Sequence, residues 1–178
     1  MIEKKICMLG AFAVGKTSLV RRFVTSCFSE QYQTTIGVTV DKKSLTVDGS
    51  DLTFVLWDLY GEDEFQKLRR SYLRGSAGYL LVLDGLRRTT LEIALRIHQS
   101  VTDELGPVPF VVLVNKHDRR AEWEIHDQDL AALTQRGWPV IMSSAKTGQG
   151  IEEAFTTLAR ALAQTPRPAS RADRTDGT

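Results

Sequence analysis

Cysteine is nearly absent from this chain. The two present, Cys7 and Cys27, fall in the first apolar run and just past the first helical segment. Such a pair reads as buried thiols rather than a disulfide framework, which points to a reducing compartment. An excess of one charge is missing as well: 23 basic against 22 acidic residues leave a net charge of +1. That balance removes the electrostatic case for nucleic acid or an acidic membrane surface as a partner. No apolar run approaches the roughly 20 residues needed to cross a bilayer, and the N-terminus has no signal-peptide pattern. Ile2 stands where N-myristoylation needs glycine, and Arg174-Thr175-Asp176-Gly177-Thr178 offers no cysteine to prenylate. The expectation is a cytoplasmic, monomeric protein with neither a transmembrane segment nor a lipid anchor by these routes.

What is present is average in bulk and specific in pattern. At 178 residues, 42% hydrophobic and 25% charged, the chain is one soluble domain with a substantial core. Residues 10–17 read Gly10-Ala11-Phe12-Ala13-Val14-Gly15-Lys16-Thr17, which fits the phosphate-loop spacing at every required position. A short apolar run, 5–9, precedes it. Residues 18–25 follow, with Leu19 and Phe23, Val20 and Val24 on one helical face. In a strand–loop–helix setting, loop N–H groups and the helix N-terminus cradle phosphates. Lys16 then reaches the β- and γ-phosphates and the Thr17 hydroxyl ligates Mg²⁺.

Strand and helix alternate along the rest. Segments 38–47 and 52–58 read as strands joined through Asp48-Gly49, a hairpin signal. A helix is expected over 64–73, with Lys67, Arg69, Arg70 and Arg74 as a solvated basic face. The apolar run 78–84 fits a strand covered on both faces. Thr89-Thr90-Leu91-Glu92 matches a capping box opening a helix with Leu91, Leu95, His98, Val101 and Leu105 along one side. His98 reads there as a packed residue, not a ligand. A second buried strand, 109–114, ends at Asn115. A helix near 127–136, a strand at 138–142 and a helix from Ile151 burying Phe155, Leu158 and Leu162 complete the pattern. The expected fold is an α/β phosphate-loop NTPase: a six-stranded, mostly parallel sheet with one antiparallel strand and about five flanking helices. It occupies residues 1–164, and the Pro-, Arg- and Asp-rich stretch 165–178 is a flexible tail.

A phosphate loop alone leaves kinase, ATPase and GTPase open. Asn115-Lys116-His117-Asp118, at the end of a buried strand, decides among them. A carboxylate there accepts two hydrogen bonds from guanine N1–H and its 2-amino group. Adenine lacks that donor pair, and the unpaired carboxylate would cost about 1–3 kcal/mol or more.

With these motifs in place, the chain resembles the Ras superfamily of small GTPases over about residues 4–163, in motif order and spacing. The resemblance implies that Asp118 holds guanine, Asn115 ties this loop to the phosphate loop, and the Lys116 stem packs on the ring. Ser144-Ala145-Lys146 matches the family's Ser-Ala-Lys motif, so the Ala145 N–H meets the guanine oxygen and Lys146 covers the other face. Phe28 stands as the aromatic edge against the base, and Ser18 follows Thr17 at the phosphates. Tyr32 and Thr35-Ile36-Gly37 match the first switch loop in its Rab-like form, with Thr35 a second hydroxyl on Mg²⁺. Asp58-Leu59-Tyr60-Gly61 keeps the spacing of the second switch, with Asp58 toward Mg²⁺ and the Gly61 N–H toward the γ-phosphate. Such contacts make an order–disorder switch, held by γ-phosphate and released by hydrolysis. An effector, an exchange factor and an activating protein would then meet residues 30–40 and 58–74. The Rho-type insertion and an Arf-type N-terminal extension are both missing.

The departures gather at the γ-phosphate. Glu62 occupies the place where the family has the glutamine that orients the attacking water. An ionised carboxylate cannot donate, and at about 4 Å like charges repel by roughly 1 kcal/mol in water and about 4 kcal/mol at an effective dielectric of 20. Phe12 and Ala13 replace glycine, and Phe12 crowds the approach of an arginine finger. The catalytic set is thus Lys16, Thr35, Gly61 and Glu62, with slow GTP hydrolysis expected. The alternative is a nucleotide-locked scaffold with negligible turnover.

Overall fold

The computed structural model describes residues 2–28, 37–59 and 70–165. Six strands form one sheet in the order β2-β3-β1-β4-β5-β6. They are β1 (Ile2–Gly10), β2 (Val38–Val47), β3 (Ser50–Leu59), β4 (Gly78–Asp84), β5 (Phe110–Asn115) and β6 (Val140–Met142). β2 runs antiparallel to β3, and every other pairing is parallel. The β2–β3 turn places Asp48 at φ 51° and Gly49 at φ 77°, the positive pair that matches the strand twist.

Helices α1 (Lys16–Thr25) and α5 (Ile151–Gln164) cover one face of the sheet, over a core that includes Ile6, Met8, Phe54, Leu80 and Leu113. Phe23 of α1 stacks on Phe155 of α5 with ring centroids 3.7 Å apart. Helices α3 (Thr89–Leu105) and α4 (Asp127–Gln135) cover the other face, over Cys7, Leu9, Tyr79, Leu81 and Val112. β4 is buried at all seven positions, as its apolar run requires. The short α2 (Arg70–Leu73) and a 3₁₀ turn at His117–Glu122 complete the described elements.

Several expectations shift. The buried stripe of α3 is Leu91, Ala94, Ile97 and Val101, so Leu95, His98 and Leu105 flank it instead of forming its centre. Thr89 does not cap that helix. Its neighbour Thr90 turns inward, accepting from the Asp84 N–H at 3.0 Å and donating to the Arg87 carbonyl at 2.7 Å. The chain leaves β4 in a tight turn, and Thr90 is the residue that faces it. The last strand is shorter than 138–142, because Trp138 packs as an aromatic against His98 and Phe110. Cys7 is a buried thiol, whereas Cys27 is exposed because the chain has left the core by that point. Of the helix expected over 64–73, only Arg70–Leu73 falls among the described residues. No described helix is long and apolar enough to cross a membrane.

Candidate functional site

The C-terminal ends of the parallel strands β1, β3, β4, β5 and β6 converge on one edge of the sheet, the edge where open α/β sheets bind ligands. The loop after β1 turns there into α1. Gly10 has φ 149°, and a Cβ on it would lie 2.3 Å from the Val82 carbonyl of β4. Gly15 has φ 103°, and its Cβ would lie 2.3 Å from Asn115 Nδ2. Close approach, of a backbone carbonyl at Gly10 and of a side-chain amide at Gly15, explains both glycines. α1 begins at Lys16 with no side-chain cap and no acidic residue in its first turn. Its N-terminal N–H groups and dipole therefore face the loop, a setting suited to an anion. Lys16, 5% exposed, donates through its ammonium to the carbonyls of Gly10 and Ala11 at 3.1 and 3.0 Å. Ala13 sits at φ 58°, a left-handed conformation uncommon outside glycine. Phe12, at the loop tip, is 39% exposed. Thr17 is half-buried, and Asp58, at the end of β3, is buried.

Asn115 joins two loops. Its Nδ2 donates to the Val14 carbonyl at 3.0 Å, and its Oδ1 accepts from the Ala145 N–H at 3.2 Å. Ser144 Oγ donates to Asp118 Oδ1 at 2.6 Å and accepts from the Thr147 N–H at 3.1 Å. One serine thus aims the carboxylate and closes its own loop. Ser18, Phe28, Asn115, Lys116, Asp118, Arg119, Ala145 and Lys146 line a cavity of about 140 Å³ between these loops. Lys116 adopts φ 69°, and its carbonyl accepts from Trp123 Nε1 at 3.0 Å.

The ammonium of Lys116 reaches a residue that sequence reasoning treated only as a strand end. It donates to Asp84 Oδ2 at 2.6 Å, and Asp84 is 1% exposed. Arg87 Nε donates to the same oxygen at 2.9 Å, while its Nη2 donates to the Phe12 carbonyl at 2.7 Å. The Leu86 N–H takes Asp84 Oδ1 at 3.0 Å. A buried carboxylate so supplied carries two cations, which satisfies the demand for pairing. Asp84, Arg87, Arg119 and Trp123 are the site-forming residues that motif reading missed. Asp84 alone had a signal: like Asn115, it is a polar residue ending an apolar strand. Arg119 lies beside Glu122, with Nε donating to Oε1 at 2.9 Å. That exposed carboxylate is held below its usual range chiefly by the Arg119 hydrogen bond.

Gly10 to Ser18, Phe28, Asp58, Asn115, Lys116, Asp118 and Ser144 to Lys146 all lie along this edge or line its cavity. Tyr32, Thr35, Gly61 and Glu62 lie outside the described residues, as does most of 30–40 and 58–74.

The comparisons agree in kind. The Ras family model matches residues 5–164. The chain is 32% identical over 159 residues to Ras-related protein SEC4 of Saccharomyces cerevisiae, covering 89% of this chain and 74% of that protein. It is 33% identical over 165 residues to Ras-related protein Rab-18 of Lymnaea stagnalis, covering 91% and 81%. It is 33% identical over 156 residues to Ras-related protein Rab11E of Lotus japonicus, covering 86% and 72%.

Proposed function

The chain belongs to the Ras family of small GTPases, and on that footing we propose a cytoplasmic GTP-dependent switch that hydrolyses slowly and meets its partners through residues 30–40 and 58–74. One observation carries the reading: Asn115 is bonded at one end to the phosphate loop and at the other to the base-side loop. A ligand recognised at both ends across that fixed separation has phosphates and a base. Asp118, aimed by Ser144, selects guanine by its two donors.

In this reading the loop N–H groups from Gly10 to Thr17 and the α1 N-terminus bind the phosphates, and Lys16 neutralises the β/γ pair. Lys116, Phe28 and Lys146 bound the ring. The donor set suits Mg²⁺, since a threonine hydroxyl (Thr17) and a carboxylate (Asp58) are hard oxygen ligands. The described residues hold no group of three or more His, Cys, Asp or Glu fit for a metal. A cation held largely by phosphate oxygens and water needs none. Thr17 and Asp58 would hold such a cation, which would supply positive charge against the phosphates. Thr35 would add a hydroxyl to that cation only with a γ-phosphate present, and the Gly61 N–H would meet that phosphate; these two contacts would make the switch.

Glu62 sets the rate. A carboxylate beside the γ-phosphate cannot donate to the transition state and is repelled by the ground state. Glu62→Gln is expected to raise the single-turnover GTP hydrolysis rate at least about 10-fold. A fast wild type unchanged by the substitution sinks this assignment. The nucleotide retained on purification, identified by chromatography, tests the whole reading, which fails if guanine nucleotide is not preferred over adenine. The exposed Phe12 ring at the loop tip favours a second reading, a GTP-locked scaffold. Retained GTP and no turnover even in Glu62→Gln would select it.

A further inference from the structure

The tip of the phosphate loop carries two side chains, Phe12 and Ala13, at a place where backbone freedom matters. Ala13 occupies the left-handed region at φ 58°, which an L-residue with a Cβ adopts only when its surroundings hold it there. The Phe12–Ala13 peptide is trans, as no cis bond occurs among the described residues. Its carbonyl and the following N–H therefore point in opposite directions. Whatever fixes the Phe12 carbonyl on the outside of the loop also fixes the Ala13 N–H on its inside.

Arg87 makes that outer contact, 75 residues away in sequence, with Nη2 on the Phe12 carbonyl at 2.7 Å. Its Nε is anchored at 2.9 Å on Asp84, whose carboxylate is 1% exposed and cannot swing away. The guanidinium is a planar fork, so the two bonds lock its orientation as well as its position. The Arg87 side chain itself is 41% exposed and reaches the loop from the solvent side. Lys116, from the base-side loop, shares the same Asp84 oxygen at 2.6 Å.

We propose that Arg87 is a positioning residue for nucleotide binding: clamped on Asp84, it holds the Phe12 carbonyl outward and so presents the Ala13 N–H to the terminal phosphates. The inference rests on the reading that residues 10–17 bind a guanine nucleotide. A glycine-rich tip reaches this conformation unaided. A Phe-Ala tip has less backbone freedom, and this chain supplies a hold on it from the β4–α3 turn. Asp84 in turn ties the phosphate side to the base side through one carboxylate.

The test measures GTP and GDP affinities in Mg²⁺ for wild type, Arg87→Ala, Arg87→Lys and Asp84→Asn, with Tm for each. The backbone ¹H–¹⁵N signal of Ala13 in the GDP-bound protein is recorded alongside. Arg87→Ala is expected to lower GTP affinity about 10-fold, the worth of one charge-assisted hydrogen bond. GDP affinity should fall by less than about 3-fold, and the Ala13 signal should shift. Arg87→Lys should recover part of the loss, since one donor and the charge remain. Asp84→Asn should reproduce the change in the GTP-to-GDP ratio. An unchanged ratio and an unshifted Ala13 signal, in variants that still bind guanine nucleotide, overturn the inference while leaving the site reading intact. Equal loss of both nucleotides in step with Tm, without rescue by lysine, overturns it too. A wild type that binds no guanine nucleotide removes the underlying site reading, and this inference with it.

Discussion

Strands β4 and β5 are register partners from Tyr79 to Asp84, yet their first and last rungs are built from opposite chemistry. The first rung pairs Tyr79 with Phe110, and the last pairs Asp84 with Asn115. At the first rung the rings stack 5.1 Å apart, and His98 and Trp138 close around them. Tyr79 Oη and His98 Nδ1 are hydrogen-bonded at 2.6 Å, and burial pushes the tyrosine hydroxyl well above its ordinary range, so it stays neutral. At the last rung no ring is present. Asp84 and Asn115 are both buried; Asp84 holds Arg87 of the turn that follows it and Lys116 from beyond β5, while Asn115 bonds the Val14 carbonyl and the Ala145 N–H. Apolar contact at one end is non-directional and stabilises the fold. Directional polar contact at the other sets the positions of atoms that a ligand must meet. The two ends should therefore be separable by substitution.

The largest effect is expected beyond the last rung. Asp118→Ala should lower the preference for GTP over ATP by roughly 100- to 1000-fold, because recognition through paired donors discriminates far more than shape does. Competition binding measures it, and Tm should barely move, since Asp118 is exposed. A selective Asp118→Ala protein would show that the base is read elsewhere. At the first rung the pattern should invert. Phe110→Ala removes a stacked ring from a half-buried cluster and should cost about 3 kcal/mol, near the lower bound for buried aromatics. For a domain of this size that is a fall in Tm of about 6–12 °C. Nucleotide affinity should hold, and a loss of affinity beyond what unfolding explains would break the separation.

The smallest effect is a pH dependence confined to the first rung. Burial, and then the charge of Arg136, lower the His98 pKa from its ordinary value. The unfolded chain takes up a proton near pH 6.5 while the folded protein resists it. This contribution is therefore complete above about pH 6.5 and is lost as the pH falls below it. Thermal melts at pH 7.5 and pH 5.5 should show a drop that His98→Phe reduces, with GTP affinity following no such step. If His98→Phe leaves the drop unchanged, the acid sensitivity lies elsewhere.

Much of this arrangement was legible in the residues. The phosphate loop and Asn115-Lys116-His117-Asp118 declare themselves because each is a short local pattern placed against an apolar strand. The strands β4 and β5 are equally plain, since burial on both faces demands continuous apolar runs. The α3 stripe was read one position off centre because Ala94 carries little hydrophobic signal, although a small side chain packs closest to the sheet. Thr89 looked like a cap because its pattern is local, while Thr90 answers to a turn that the pattern does not encode.

The sequence by itself determined the chemistry available: the loop proposed to surround phosphates, the carboxylate proposed to read guanine, and a carboxylate, Glu62, in place of glutamine. Such features depend on residue type and near spacing, which a linear chain carries in full. Only the tertiary structure decided which charges meet. Arg87 and Phe12 lie 75 residues apart, and Lys116 and Asp84 lie 32 apart. They touch because the sheet sets β4 between β1 and β5, bringing three strand ends together. Sheet order is a property of the whole core, so no local spacing could have announced the Asp84 junction.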